Sequence, residues 1–310
     1  FHPMQLYNYL LASVGLLASL GQAEVISQCN QAGMYAMTFD DGPAQYTGQL
    51  LDLLASKGVK ATFHVTTKYL SDPNIQSTIQ RIAAAGHLIG LRTEASWNLK
   101  SMNDDQIRAG IARQANVLAN FIGYTPKFVR LPYEGYDERV LKAVESTGAV
   151  VTQQNLETYD YTNDANRVLN AVDLALSLAG NGQGSFIAVQ HDGVQSSVSV
   201  VPKLVDTIKG NGYKLVTLDA CLGMGDMTKN KTPLKGGDGK TPLPMNNPIS
   251  GNLPSGPSSG GKVGSIANSP DGASEGPADG QSNQLGANSA AAVRQIGGAA
   301  MLLALVAALL

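Results

Sequence analysis

Met34-Tyr35-Ala36-Met37-Thr38-Phe39-Asp40-Asp41-Gly42-Pro43 decides how this chain is read. Its apolar run, Met34–Phe39, reads as a strand that stops in two adjacent carboxylates and a turn. Neighbouring carboxylates raise each other's pKa, so the pair is costly unless something cationic faces it. A strand that ends in charged chemistry suggests that the other strands should be read at the same end.

Outward from that stretch, short apolar runs alternate with helical patterns. Further strands are expected at Ala61–Val65, Leu88–Leu91, Lys127–Leu131, Ala149–Thr152, Phe186–Gln190 and Lys214–Leu218. Between them, Leu50, Leu53 and Leu54 share a helical face, as do Ile75, Ile79, Ile82 and Ala83. Ile107, Ile111, Ala115 and Leu118 form a third stripe, and Val140, Leu141 and Val144 a fourth. Each ends at or near a glycine, the common C-terminal stop. Strands alternating with helices imply an α/β fold with a parallel sheet. About seven such units suggest a small barrel, and in barrels of this kind the reactive residues gather at the C-terminal ends of the strands.

Those ends carry Asp40 and Asp41, then Arg130-Leu131-Pro132-Tyr133, then Glu157-Thr158-Tyr159-Asp160-Tyr161, then His191-Asp192. A base, an acid, a cation and orienting carboxylates form a hydrolytic set, in which a carboxylate activates water and a histidine protonates a leaving group. Each signal alone is weak. A single histidine at a strand end is more often structural, and an Asp-Asp-Gly-Pro turn is often only a turn. Their joint order carries the reading.

Thr38-Phe39-Asp40-Asp41-Gly42-Pro43 resembles the first motif of the polysaccharide deacetylases, carbohydrate esterase family 4. Arg130–Tyr133, Glu157–Tyr161 and Val189-Gln190-His191 are similar to the third, fourth and fifth motifs, and Gly86–Gly90 also fits. The resemblance runs from about Met34 to Cys221, is to chitin deacetylases in particular, and implies a distorted (β/α) barrel of about seven strands. It implies removal of acetyl groups from N-acetylated sugars with a divalent metal, zinc or cobalt. It further implies Asp40 as general base, Asp41 as metal ligand, and Arg130 orienting Asp40. Tyr133 would offer its backbone N–H to the oxyanion, and His191 would be the general acid, held by Asp160. Trp97 and Tyr161 are candidate contacts to the glycan, or else loop packing.

One motif departs from the pattern. The family's second motif is a His-x-x-x-His pair that binds the metal, and Arg92 and Ser96 stand in those positions here. Arginine has no lone pair to give at any accessible pH and brings a charge to the seat of a cation. One expectation is that Arg92 replaces the metal and neutralises Asp40 and Asp41. Others are that Arg92 lies on a loop surface after plain degeneration, or that Asp41, Glu94 and Ser96 form an all-oxygen site for manganese, magnesium or calcium. His64 and His87 are two further candidate ligands. The expected function is a glycan-binding relative with weak or lost deacetylation. The alternatives are an active deacetylase with altered metal use, or a structural protein unrelated to carbohydrate.

The formal net charge of −2 gives no basic face for a nucleic-acid partner. Residues 4–23 read as a secretory signal ending in Gly21-Gln22-Ala23, or else as a retained anchor. Residues 24–226 form the expected domain, and 227–288 a Gly/Ser/Pro-rich stalk that cannot bury enough apolar surface to fold. Small residues Gly286–Ala290, a spacer and the apolar Ile296–Leu310 read as a glycolipid-anchor signal removed from residue 289 onward, with Asn288 as attachment site; a tail-anchor helix is the alternative. Asn230-Lys231-Thr232 is a glycosylation sequon. Cys29 and Cys221 bracket the domain, and in a secreted chain they read as a disulfide rather than free thiols. Closing so long a loop stabilises by about 4–5 kcal/mol on the chain-entropy model. The resemblance to fungal chitin deacetylases implies the same pair. The expected location is outside the cell, at the membrane outer face or the wall, with chitin or a similar polymer as partner.

Overall fold

The computed structural model describes residues 24–94, 96–132 and 135–236. Eight strands pair in parallel: β1 (Met34–Asp40), β2 (Thr62–Val65), β3 (Leu88–Arg92), β4 (Phe128–Arg130), β5 (Val150–Val151), β6 (Leu156–Glu157), β7 (Phe186–His191) and β8 (Lys214–Val216). The path runs β5-β4-β3-β2-β1-β7-β6. β7 lines one edge of β1, while β2 and β8 divide the other, β2 against Thr38–Asp40 and β8 against Met34–Ala36. The strands follow the expected runs closely, and β6 is added to them.

Helices cross between the strands: α1 (Thr47–Ser56), α2 (Pro73–Ala84), α3 (Asp104–Ile122), α4 (Glu138–Glu145), α5 (Ala165–Ala179), α6 (Gln195–Ser199), α7 (Val201–Gly210) and α8 (Leu218–Cys221). α3 shows how sequence sets the boundaries. Asn103 and Gln106 close a reciprocal capping box at its start. Gly123 ends it in the left-handed region, its N–H donating to the Ala119 carbonyl. The stripe Ile107, Ile111, Ala115 and Leu118 is fully buried in the single core that the sheet and helices share. This is the distorted (β/α) barrel that the family resemblance implied, with the strand ends of β1, β2, β3, β4 and β7 gathered on one side.

Cys29 and Cys221 form a disulfide with Cα atoms 4.7 Å apart. The folded unit reaches further than residue 226. Asn230 exchanges backbone and side-chain hydrogen bonds with Thr125, Lys235 donates its N–H to the Thr147 carbonyl, and Leu234 is buried. The expected stalk therefore begins with ten residues that lie against the domain, because one leucine and two ladder-like bonds hold them. The sequon asparagine Asn230 is half-buried there. Segment 4–23, Asn288 and residues 237–310 lie outside the described residues. Among the described residues no helix is long and apolar enough to cross a membrane.

Candidate active site

Sheet register builds the site. Asp40 is the register partner of His64 on one side and His191 on the other, and Arg92 is the partner of Arg130. Paired residues of a sheet point to the same face, so five strand ends deliver their polar side chains to one layer.

Asp40 is buried at the centre. Its Oδ1 accepts from Arg130 Nη1 at 2.9 Å and from His64 Nδ1 at 3.0 Å. Its Oδ2 lies 3.7 Å from Arg92 Nε. Burial pushes the Asp40 carboxyl up, but Arg130, His64 and Arg92 together outweigh it and hold the group well below the usual carboxylate range. Arg130 is itself buried and also donates from Nη1 to Thr38 Oγ1 at 2.7 Å.

His64 is a partner of Asp40 that sequence reasoning did not find. Burial, with the Arg130 charge beside it, lowers its pKa to about 4, so the ring is neutral. A neutral ring that donates from Nδ1 to Asp40 leaves Nε2 as an acceptor, and Thr152 Oγ1 stands 3.4 Å away. The only hint in the sequence was a histidine inside an otherwise apolar strand. His87 is at the opposite end of β3 and accepts the Ala61 N–H at Nδ1, which makes it a structural residue.

Asp41 follows in the left-handed region, with φ of 65°. For a non-glycine residue that is a sparsely populated conformation, of the kind found at functional turns. The turn aims its carboxylate outward, where Oδ1 accepts from Arg92 Nε at 2.9 Å and Oδ2 lies 3.6 Å from His191 Nε2. Arg92 also donates from Nη1 to the Arg130 carbonyl at 3.3 Å. Its guanidinium thus lies between the two adjacent carboxylates, facing them as a cation.

His191 is held by Asp160, which is fully buried and accepts both the ring Nδ1 at 3.0 Å and the backbone N–H at 2.5 Å. Burial lowers the His191 pKa, but the hydrogen bond and charge of Asp160, joined by Asp40 and Asp41, more than offset it and push the value up to about 9. Nε2 therefore carries a proton at neutral pH. Next to it, Asp192 is buried under the turn, accepting from Thr47 Oγ1 at 2.6 Å, and burial pushes its carboxyl up to about 6.

The residues present do not fit a divalent metal. Asp41 turns its near oxygen to a guanidinium, and Ser96 is exposed with its hydroxyl 3.5 Å from the buried Glu94. Among the described residues no group of three or more His, Cys, Asp and Glu side chains could hold one. The structure brings together Asp40, Asp41, Arg92, Arg130, Asp160 and His191. Tyr161 is exposed beside Asp160, while Tyr133 lies outside the described residues. Trp97 corrects an expectation: it is 5% exposed, its ring set where a Cβ at Gly110 would meet it at 2.7 Å, so it fills core and offers no face to a glycan.

A family model for polysaccharide deacetylase matches residues 27–152. A chitin deacetylase of Colletotrichum lindemuthianum is 35% identical over 205 residues, 64% of this chain and 83% of that protein. A peptidoglycan-N-acetylglucosamine deacetylase of Bacillus cereus is 33% identical over 189 residues, 59% of this chain and 66% of that protein. The solved structure of the Colletotrichum lindemuthianum chitin deacetylase aligns with a TM-score of 0.60 at 32% identity, covering 66% of this chain and 93% of that one. Fold, strand-end chemistry and likeness agree, and the chain belongs to the polysaccharide deacetylase family.

Proposed function

We propose that this chain is a cell-surface member of its family that meets N-acetylglucosamine polymers such as chitin, and that metal-dependent removal of their acetyl groups is weak or lost in it. One observation carries the second half: the Arg92 guanidinium, 2.9 Å from Asp41 and 3.7 Å from Asp40, stands against the carboxylates that a metal centre would need. Such a metal would lower the pKa of a bound water and polarise the acetyl carbonyl. Arg92 supplies a fixed positive charge and hydrogen-bond donors but generates no hydroxide. Asp40, held far down by two donors and the Arg92 charge, is a poor base by the Brønsted relation. His191 keeps its proton at Nε2 and remains a competent acid. What is left is an acid without a matched base, beside the fixed charge of Arg92.

The second reading, an active deacetylase with altered metal use, is favoured by the two intact pairs, Arg130 with Asp40 and Asp160 with His191. Acetate release from N-acetylglucosamine oligomers by the intact chain separates the two, run with added zinc or cobalt and with chelator. The expected result is silence from the natural chain, and chelator-sensitive release together with calorimetric zinc binding from Arg92→His/Ser96→His. Acetate released by the natural chain would sink the first reading, and the chelator arm would say whether a metal takes part. Secretion through segment 4–23, glycosylation at Asn230 and a glycolipid anchor at Asn288 complete the proposal on sequence composition alone. Retention of the protein on cells after treatment with a phosphatidylinositol-specific phospholipase would count against the anchor.

A further inference from the structure

Six large hydrophobic side chains are exposed among the described residues, and four of them, Tyr159, Tyr161, Leu174 and Leu178, cluster around α5. Leu174 and Leu178 are 60% and 80% exposed and stand one helical turn apart. Tyr159 and Tyr161 meet edge to face, with ring centroids 6.2 Å apart. Arg167 lies over the Tyr159 ring at 5.1 Å, and a groove of about 400 Å³ opens between Tyr159, Arg167, Asn170 and Leu174. Tyr159 is in the left-handed region, with φ of 58°, a conformation that most residues avoid and that here turns its ring outward. From Arg167 to Leu178 the exposed face runs about 17 Å at the α-helical rise.

The two tyrosines flank Asp160 in the chain, and Asp160 holds His191, so this face begins beside the strand ends that carry the site. Its chemistry alternates ring faces and leucines with the amides of Asn166 and Asn170 and one guanidinium. The acids beside it are Glu157, which accepts the Tyr159 N–H at 3.1 Å, Asp164, whose carboxylate caps the helix, and Asp173. Pyranose rings have the matching character: apolar C–H faces for the rings and leucines, and hydroxyl and acetamide groups for amide and guanidinium donors. With one guanidinium against these acids the face offers no basic patch, so it fits a neutral polymer better than an anionic one.

We infer that the exposed face of α5, with Tyr159 and Tyr161, is a second binding shelf for the same N-acetylhexosamine polymer, taking the sugars that extend beyond the strand-end site. This deepens the proposed function and rests on it. The shelf makes affinity depend on chain length, since a short oligomer occupies the strand-end site alone and a longer one reaches Leu174.

Calorimetric titration of the intact chain with chitin trimer and chitin hexamer tests it. The hexamer should bind roughly tenfold more tightly than the trimer. In Arg167→Ala/Asn170→Ala/Leu174→Ser the trimer affinity should stay and the hexamer should fall to it. Leu174→Ser/Leu178→Ser, which alters only exposed side chains, should erode the same advantage. Equal affinity for both oligomers in the natural chain, or a hexamer advantage that survives both variants, overturns the shelf and leaves the proposed function standing. Failure of the natural chain to bind either oligomer overturns that function and the shelf with it. A concentration-dependent dimer in sedimentation that the variants abolish, with hexamer binding untouched, assigns the face to a second copy of the chain and overturns the shelf as well.

Discussion

His64 fits behind Asp40 because residue 90 has no side chain. A Cβ at Gly90 would lie 2.8 Å from His64 Cδ2 and 3.0 Å from the Phe128 carbonyl oxygen. Gly90→Ala must therefore move a buried ring that is bonded to Asp40, and we expect it to cost about 1–3 kcal/mol in urea unfolding. Combined with His64→Ala, the loss should be clearly less than the sum of the two single changes, because the ring that clashes is gone. Asp40, Asp41, Arg130 and His191 were legible in the sequence because they end strands, where an apolar run breaks into charge. His64 was not. It sits inside an apolar run, 24 positions from its partner, and only sheet register brings the two together. Trp97 was open between sugar platform and packing, since a tryptophan near a reactive motif fits both until its burial, 5% exposed here, decides for packing.

At the scale of elements, the segment after Cys221 shows where composition stops being a guide. Lys231, Thr232 and Pro233 read as the start of a stalk, and a lone leucine among such residues carries no periodicity. Yet Leu234 is 4% exposed and the backbone beside it is tied to Thr147. Leu234→Ala should lose about 2–4 kcal/mol of stability by chemical denaturation, the range for emptying a buried leucine site. Leu178→Ala, at an exposed helical position, should stay within about 0.5 kcal/mol. β6 escaped the sequence for a related reason: a two-residue strand, Leu156–Glu157, is shorter than any repeat that could announce it. The longer elements were readable because each presents several apolar residues at one spacing.

For the whole molecule, buried titratable groups set opposing limits on stability. His64 and His87 hold pKa values of about 4 in the folded chain, against 6.5 when exposed, burial being the main cause. Between those values the unfolded chain binds two protons more at these sites. Asp192, pushed up from 3.8 to about 6 by burial, works the other way and offsets one. Net proton uptake on unfolding makes stability fall as pH drops below about 6.5, and Asp40 adds its own loss once pH falls below 3.8. His191 is the reverse case. Its folded pKa of about 9 gives stability that is full below 6.5 and lost as pH rises towards 9. The melting temperature should therefore peak near pH 6.5 and decline on both sides. His191→Gln should flatten the alkaline side and leave the acid side as it was. A curve that keeps rising to pH 9 would contradict the ion pair of His191 with Asp160.

The disulfide gives this molecule a mechanical property as well. Cys29 and Cys221 join the chain just before its first strand to the chain just after its last, with their Cα atoms 4.7 Å apart. Tension applied between residues 24 and 236 passes along the short leads and across the sulfur bridge, and it bypasses all eight strands. Pulling first peels both leads from the surface, Ile26 from Val151 and Gln153 and Leu234 from its site, and then meets a covalent bond. Once the leads are free the barrel between the two cysteines carries no load, so its strand ends keep their geometry while the chain is under strain.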